Sequence, residues 1–140
     1  MKRTGSAHWS GGLKDGKGTV STASGVLQDT QYSFATRFEN GAGTNPEERL
    51  AAAHAGCFTM ALSLQLEQAG MKAESLDTRA VVTLDKVGDG FGITQVDLDL
   101  TAKIANADKA KFEQAAQAAK AGCPVSKLFN TKITLTTHLA

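Results

Sequence analysis

Cysteine and proline are scarce in this chain, since each occurs only twice among 140 residues. The two cysteines, Cys57 and Cys123, lie far apart, which excludes a disulfide-rich scaffold, a C-x-x-C redox motif and paired zinc knuckles. An excess of one charge is also missing, because 15 basic residues stand against 14 acidic ones. Such a balance gives no long-range attraction to nucleic acid or to an anionic membrane, so neither partner is expected.

Long apolar runs are missing as well. The longest segment without Asp, Glu, Lys or Arg is 50–66, which is short for a membrane span and contains His54 and Ser63. No apolar stretch follows the basic start of the chain, so a secretory signal is not indicated. These absences predict a cytoplasmic protein, a location in which a permanent structural disulfide is uncommon.

The patterns that are present predict one α+β domain over residues 1–140, with mostly antiparallel sheets. In segment 32–38 the aromatic residues alternate, which predicts a strand with Arg37 on the face opposite the aromatic side chains. The predicted strands are 8–9, 17–22, 32–38, 78–87, 91–104 and 132–139, and the predicted helices are 46–69, 108–120 and a short turn after Cys123.

The helix at 46–69 has clear signals at both ends. Asn45 is a good N-cap, Pro46 suits the first helical position, and Gly70 offers the end. The helix is apolar almost all round, and one modest sheet covers only one side of it. We therefore expect a homodimer built around this helix.

The two cysteines each allow two interpretations. Cys57, in the middle of the long helix, is either a small buried hydrophobe or a reactive thiol. Cys123 stands at the N-cap of the short turn, where a helix N-terminus favours a thiolate, although a serine would cap as well. His54, one turn before Cys57, is either a base for that thiol or a core histidine. A zinc site from these three residues is a weak alternative because their spacing is irregular.

The two glutamates at the start of the long helix point in different directions around the helix axis. Glu48 faces away from Cys57, whereas Glu47 lies about 80° from it around the helix and about three turns earlier. At that distance Glu47 cannot be a base for the thiol, but it can hold a cation, for which Arg37 is the candidate. The alternatives are an ordinary first-turn acid and a solvated strand arginine.

Longer motifs carry a resemblance over essentially the whole chain. The stretches TRFENGAGTNPEERLAAAHAGCFTMALSLQLEQAG and AKAGCPVSKLF strongly resemble the OsmC/Ohr family of thiol peroxidases. The stretches AHWSGGLKDGKGTVSTASGVL and DTRAVVTLDKVGDGFGIT look like the osmotically inducible OsmC branch of that family.

The resemblance implies an intertwined homodimer, with sheets wrapped around long central helices, that reduces organic hydroperoxides in preference to hydrogen peroxide. It makes Cys57 the peroxidatic cysteine and Cys123 the resolving one, with Arg37 and Glu47 completing the site. Arg37 would favour the Cys57 thiolate, and a bidentate bond from Glu47 would aim the guanidinium. A Cys57–Cys123 disulfide would then be reopened by an external dithiol, typically a lipoyl group such as dihydrolipoamide, with no bound cofactor or metal.

Two other functions remain open from the residues themselves. One is a non-enzymatic dimer that binds an apolar ligand and keeps Cys57 as inert packing. The other is a thiol hydrolase or acyltransferase that uses Cys57 with His54. Only the peroxidase requires Cys123.

Overall fold

The computed structural model describes all residues from 1 to 140, and it confirms the α+β class. Contacts divide the chain into two compact units, Met1–Arg49 and Leu50–Ala140. A single domain over residues 1–140 stays a prediction. The elements in chain order are β1 (Gly5–Ser10), β2 (Lys17–Thr22), β3 (Thr30–Tyr32), α1 (Phe34–Phe38), α2 (Pro46–Gln68), β4 (Ala73–Val87), β5 (Gly90–Ile104), α3 (Lys109–Gly122), α4 (Pro124–Leu128) and β6 (Lys132–Leu139).

The first unit contains an antiparallel sheet of three strands in the order β1-β2-β3. Gly18, in the central strand β2, lies beside Trp9 and Tyr32, whose ring centroids are 5.5 Å apart. A Cβ atom at Gly18 would stand 2.5 Å from the Tyr32 ring and 2.6 Å from the Trp9 ring. Glycine at this position therefore lets the two aromatic rings meet across the strand.

The strand predicted at residues 32–38 is wrong beyond Tyr32. β3 ends at Tyr32 and α1 follows, because Ser33 caps that helix: its hydroxyl accepts from the Thr36 N–H, and Thr36 Oγ1 accepts from the Ser33 N–H at 2.8 Å. Phe34 and Phe38 are four residues apart, so they share one face of a helix as well as one face of a strand. Arg37 consequently lies on a short helix and not on a strand.

The second unit contains the sheet β4-β5-β6. β4 and β5 form a long antiparallel hairpin, whereas β6 pairs with β5 in parallel, after a crossover through α3 and α4. Three of the four strand pairings in the chain are thus antiparallel, as predicted. The core of this unit consists of Phe58, Leu62, Leu66, Val96, Leu98, Leu100, Ala102, Ile104, Phe112, Ala115, Ala116, Ala119 and Cys123.

The part of α2 in the second unit buries one row and exposes another. His54, Phe58, Leu62 and Leu66 recur every four residues and are at most 1% exposed, as the helical repeat requires for a single face. On the exposed side, Met60 keeps 76% of its accessible surface. None of the helices combines the length and apolarity needed to cross a membrane.

Candidate active site

Arg37 and Glu47 form an ion pair in the first unit. Arg37 donates from Nε at 3.0 Å and from Nη2 at 2.9 Å to Glu47 Oε1. Asn45 fixes the two helices that carry them, because its Oδ1 accepts from the Glu48 N–H at 2.8 Å and its Nδ2 donates to the Thr36 carbonyl at 3.1 Å. The N-cap predicted from the sequence therefore also sets the position of the ion pair.

The pairing differs from the predicted bidentate bond. Both N–H groups of Arg37 converge on one carboxylate oxygen, and the second oxygen, Oε2, is buried without a hydrogen-bond partner. The Glu47 side chain is 10% exposed, whereas the Arg37 side chain is 41% exposed. The carboxylate is thus enclosed, and the guanidinium keeps an open side.

An aromatic cavity of about 220 Å³ adjoins this open side of Arg37 within the first unit. The Arg37 guanidinium also lies 5.4 Å from the centroid of the Phe38 ring, in cation–π contact. The guanidinium is consequently presented at an apolar wall. The residues that line the cavity are Trp9, Leu13, Tyr32, Ser33, Phe34, Arg37, Phe38 and Pro46.

Cys57 lies on α2 at the edge of the core of the second unit, partly buried and not in a disulfide. Burial raises the pKa of the Cys57 thiol, and the neighbouring Cys123 raises it further, while a hydrogen bond from the Val125 N–H works in the opposite direction. Within this unit the Val125 hydrogen bond does not offset burial and Cys123, so the surroundings of Cys57 favour the protonated thiol.

Cys123 is fully buried and has the N-cap position predicted for it. Its sulfur accepts from the Ser126 N–H at 3.4 Å and lies 3.3 Å from Ser126 Oγ. Burial by itself raises the pKa of this thiol, but hydrogen bonds from Ser126, Cys57 and Val125 outweigh that effect and lower the pKa. The two cysteines are thus neighbours whose pKa values move in opposite directions.

His54 does not act on Cys57 in this arrangement. Its Nε2 is 2.7 Å from Ser126 Oγ, and its Nδ1 is buried without a hydrogen-bond partner. Burial lowers the pKa of His54, which favours the neutral imidazole. The geometry gives no support to a Cys57–His54 hydrolase. No group of three or more His, Cys, Asp or Glu side chains is placed to hold a metal ion, so the zinc alternative has no support either.

The structure therefore brings the four predicted site residues together as two pairs, Arg37 with Glu47 and Cys57 with Cys123. Sequence reasoning did not identify Ser126. The available signal was its position three residues after Cys123, where a helical N-cap meets its N3 residue. Nothing local in the sequence indicates that this hydroxyl meets His54.

Comparisons with known proteins agree over most of the chain. The sequence model of the family described as OsmC-like protein matches residues 39–138. The chain is 53% identical over 135 residues to "Peroxiredoxin OsmC" of Escherichia coli (strain K12), covering 96% of this chain and 94% of that protein. The structure resembles the organic hydroperoxide resistance protein OhrB of Bacillus subtilis, with a TM-score of 0.68, 26% identity and 98% of each chain covered. An OsmC-like protein from Mycoplasma pneumoniae shares the fold, with a TM-score of 0.78 at 15% identity over 100% of this chain and 98% of that one. The chain belongs to the OsmC-like protein family.

Proposed function

We propose that this protein reduces organic hydroperoxides with Cys57 as the peroxidatic thiol and Cys123 as the resolving thiol. At the coarser level, the chain is a peroxidase of the OsmC/Ohr family, as its identity to the Escherichia coli peroxiredoxin and its likeness to OhrB support. The substrate class, the roles of the site residues and the reductant belong to the proposal.

The observation that carries the proposal is the surroundings of Cys57. Its side chain lines a cavity of about 430 Å³ in the second unit and at the same time adjoins the second thiol, Cys123. An apolar cavity favours a hydroperoxide with an organic group over hydrogen peroxide, because the organic group leaves water on binding. The other residues that line it are Met60, Ala61, Leu64, Gln65, Ala118, Ala119, Gly122 and Pro124.

In the first step, the Cys57 thiolate attacks the terminal oxygen of the hydroperoxide. The O–O bond breaks, the sulfur becomes a sulfenic acid, and the alkoxide takes up a proton and leaves as an alcohol. We assign to Arg37 the stabilisation of the thiolate and of the developing alkoxide, and to Glu47 the orientation of Arg37. The preformed ion pair and the apolar wall beside the guanidinium support this assignment.

In the second step, the Cys123 thiolate attacks the Cys57 sulfenic acid, an S–S bond forms, and the hydroxide that leaves takes a proton to become water. An external dithiol then reduces the disulfide, and a lipoyl group is the proposed donor. Cys123 is fully buried and Cys57 is not, so the dithiol attacks the Cys57 sulfur. Cys123 is then the leaving group, a role that its lowered pKa favours.

The exposed side of α2 supports the proposed homodimer. Met60 is 76% exposed and Leu64 is 51% exposed, on a helix whose other side packs into the core through Phe58, Leu62 and Leu66. An open groove of about 930 Å³ runs between this side of α2 and the strands β4 and β5. An apolar helix face of this kind is typical of a subunit interface, and a second copy of the chain is the proposed occupant.

Stopped-flow consumption of cumene hydroperoxide, with dihydrolipoamide as the reductant, tests the proposed function. We expect sustained turnover of cumene hydroperoxide and slower turnover of hydrogen peroxide. Cys57→Ser should abolish both reactions. Equal rates for the two peroxides would contradict the substrate class, and activity that survives Cys57→Ser would contradict the assignment of the nucleophile.

Cys123→Ser separates the peroxidase from the other two functions. The peroxidase should consume one equivalent of peroxide and then stall or over-oxidise, because no resolving thiol remains. A hydrolase that uses Cys57 should be unaffected. A binding protein should consume no peroxide in either form.

A further inference from the structure

Hydrogen bonds link the buried His54 through Ser126 to Cys123, and neither His54 nor Ser126 has a part in the reaction described so far. His54 Nε2 is 2.7 Å from Ser126 Oγ, and Ser126 Oγ is 3.3 Å from Cys123 Sγ. His54 and Cys123 are 0% exposed and Ser126 is 8% exposed. Polar groups enclosed to this degree destabilise a core unless they are paired, so a chain of this kind calls for an explanation.

Ser126 and His54 are each held in place by a second contact. The Ser126 N–H donates to the Cys123 sulfur at 3.4 Å, which fixes the serine against the thiol. The Phe129 ring meets the His54 imidazole edge-on, with centroids 5.2 Å apart and planes at 87°, which fixes the orientation of the imidazole. The contacts therefore constrain the serine and the imidazole independently.

The Ser126 hydroxyl has a single proton, and the group to which it donates sets the direction of the hydrogen bonds between His54, Ser126 and Cys123. If Ser126 donates to His54, its oxygen can only accept from a protonated Cys123 thiol. If His54 donates from Nε2, the serine proton is free to point at the sulfur, as a thiolate requires. If His54 donates from Nε2, its buried Nδ1 is an unpaired acceptor. If Ser126 donates to Nε2, the His54 Nδ1 carries a proton and is an unpaired N–H donor, which is the rarer situation in proteins.

We propose that His54 and Ser126 are positioning residues for the resolving thiol: the His54 imidazole donates to the Ser126 hydroxyl and thereby holds the serine proton towards the Cys123 sulfur. This inference rests on the proposed resolving role of Cys123. It assigns His54 to the second chemical step, although His54 is nearer in sequence to the cysteine of the first step.

This positioning increases the rate at which Cys123 attacks the Cys57 sulfenic acid. The step consumes a Cys123 thiolate and a Cys57 sulfenic acid and yields a disulfide and hydroxide, which is protonated to water. Two donors from Ser126, the backbone N–H and the hydroxyl, meet the Cys123 sulfur and favour its thiolate. Capture is then fast enough to compete with a second oxidation of Cys57 to the sulfinic acid.

The surroundings of Cys123 contain few other groups that titrate. Cys57 faces it from α2, and His54 reaches it from the same helix through Ser126. The rest of the core around Cys123 is apolar. Hydrogen bonds lower the pKa of Cys123 and burial lowers the pKa of His54, so each shift favours the deprotonated form of its group.

The first experiment measures the pKa of Cys123 alone. In a Cys57→Ser background Cys123 is the only thiol left, and its ionisation is followed by the ultraviolet absorbance of the thiolate. Ser126→Ala removes the hydroxyl donor, and we expect the pKa of Cys123 to rise by about one pH unit. Ser126→Thr restores a hydroxyl and should return the pKa most of the way to its starting value. Ser75→Ala, at an exposed serine of β4, is the matched control and should change nothing.

Two variants of His54 test whether its imidazole acts as a hydrogen-bond donor or as a base. A glutamine amide can donate from the position of Nε2 but cannot take up a proton, so His54→Gln should leave the pKa of Cys123 close to its starting value. His54→Phe keeps the shape without the donor, and the pKa should rise as in Ser126→Ala. An equal rise of the pKa in both His54 variants would overturn the donor role, and an unchanged pKa in Ser126→Ala would overturn the whole proposal.

The second experiment keeps both cysteines and follows the resolution step. After one equivalent of cumene hydroperoxide, Ser126→Ala should still consume the peroxide but form the disulfide about three- to fourfold more slowly near neutral pH, because the thiolate fraction falls about tenfold while the nucleophilicity of the remaining thiolate rises about threefold. Excess peroxide should then leave more Cys57 as sulfinic acid, measured by mass spectrometry. An unmodified protein that consumes no peroxide contradicts the proposed function, whereas unchanged disulfide formation in Ser126→Ala contradicts only the present inference.

Discussion

Replacing Glu47 by glutamine tests the arrangement of the ion pair. The change keeps the size of the side chain but removes its charge, so two charge-assisted hydrogen bonds from Arg37 become neutral ones. Each conversion weakens a bond by about 1 kcal/mol. Arg37 is 41% exposed, so solvent screening reduces the two losses together to about 1 kcal/mol.

The second oxygen of Glu47 adds a further loss. Oε2 is buried without a partner, and in Glu47→Gln an amide group with two donors takes its place. An unsatisfied buried donor costs about 1–3 kcal/mol. We therefore expect Glu47→Gln to lower the free energy of unfolding by about 3 kcal/mol, which corresponds to about 10 °C in Tm for a chain of this length.

Glu48→Gln is the matched control for this prediction. Glu48 is the next residue, is exposed and shares the first turn of α2, so both variants lose the same favourable interaction with the helix dipole. Glu48 Oε2 accepts from Thr44 Oγ1 at 2.7 Å, a bond that a glutamine oxygen can still accept. We therefore expect a change of at most about 1 kcal/mol for Glu48→Gln, measured by thermal and urea unfolding. Equal losses in the two variants, or no coupling in a double-mutant cycle with Arg37→Gln, would refute the reasoning.

Two further predictions concern α2. Burial lowers the pKa of His54 below its ordinary value of 6.5, so the unfolded chain takes up the proton first. The stabilisation is then fully present above about pH 6.5 and is lost as the pH falls towards the folded pKa. Urea unfolding at pH 7 and at pH 5 should show a larger loss for the unmodified protein than for His54→Gln, and equal losses would contradict the burial argument. For the homodimer, Met60→Glu should shift sedimentation towards the monomer at low micromolar concentration. Leu128→Glu, at an equally exposed side chain, should leave the assembly unchanged; a monomer before any substitution would exclude the homodimer.

Local signals in the sequence predict the ends of several elements correctly. Asn45 and Pro46 begin α2, and Gly70, with φ +77°, ends it. The sequence predicts the second long helix at residues 108–120, and α3 begins one residue later because Asp108 is its cap, with an Oδ1 that accepts from the Lys111 N–H. These signals act over a few residues, so the sequence alone is sufficient to read them.

The error at residues 32–38 comes from a pattern that two structures share. Phe34 and Phe38 lie on one face in a strand and also in a helix, where their ring centroids are 4.9 Å apart. Ser33 and Thr36 carried the deciding signal, since this spacing allows a reciprocal cap. The helical cap therefore overrides the alternation of aromatic residues.

Whether the sequence could predict a contact of the candidate site depends on how far apart its two residues lie in the sequence. Arg37 and Glu47 are ten residues apart, and the angle of Glu47 on its helix was enough to suggest a cation partner. The bond between His54 and Ser126 spans 72 residues and depends on how α4 packs against α2. No local pattern encodes that packing, so the sequence could place Cys123 at a cap but could not show what holds the serine beside it.

The pKa values of the two thiols shift in opposite directions, upwards for Cys57 and downwards for Cys123. Burial raises the pKa of Cys57, whereas Ser126 helps to lower that of Cys123, so the second unit by itself favours the thiolate at the resolving position. A peroxidatic Cys57 must react as a thiolate and therefore needs a positive charge from elsewhere, which we propose is Arg37.

In a Cys123→Ser background, Arg37→Ala should raise the pKa of Cys57 and slow its alkylation near neutral pH. The loss is about three- to fourfold if that pKa rises by about one pH unit, because the thiolate fraction falls about tenfold while its nucleophilicity rises about threefold. Arg37→Lys should recover part of the rate, since it keeps the charge but not the fork of donors that Glu47 orients. The pKa of Cys123, measured in Cys57→Ser, should not respond to Arg37→Ala, because its own donors come from Ser126 and Val125. An unchanged pKa of Cys57 in Arg37→Ala would remove Arg37 from the reaction and leave its pair with Glu47 as a structural contact.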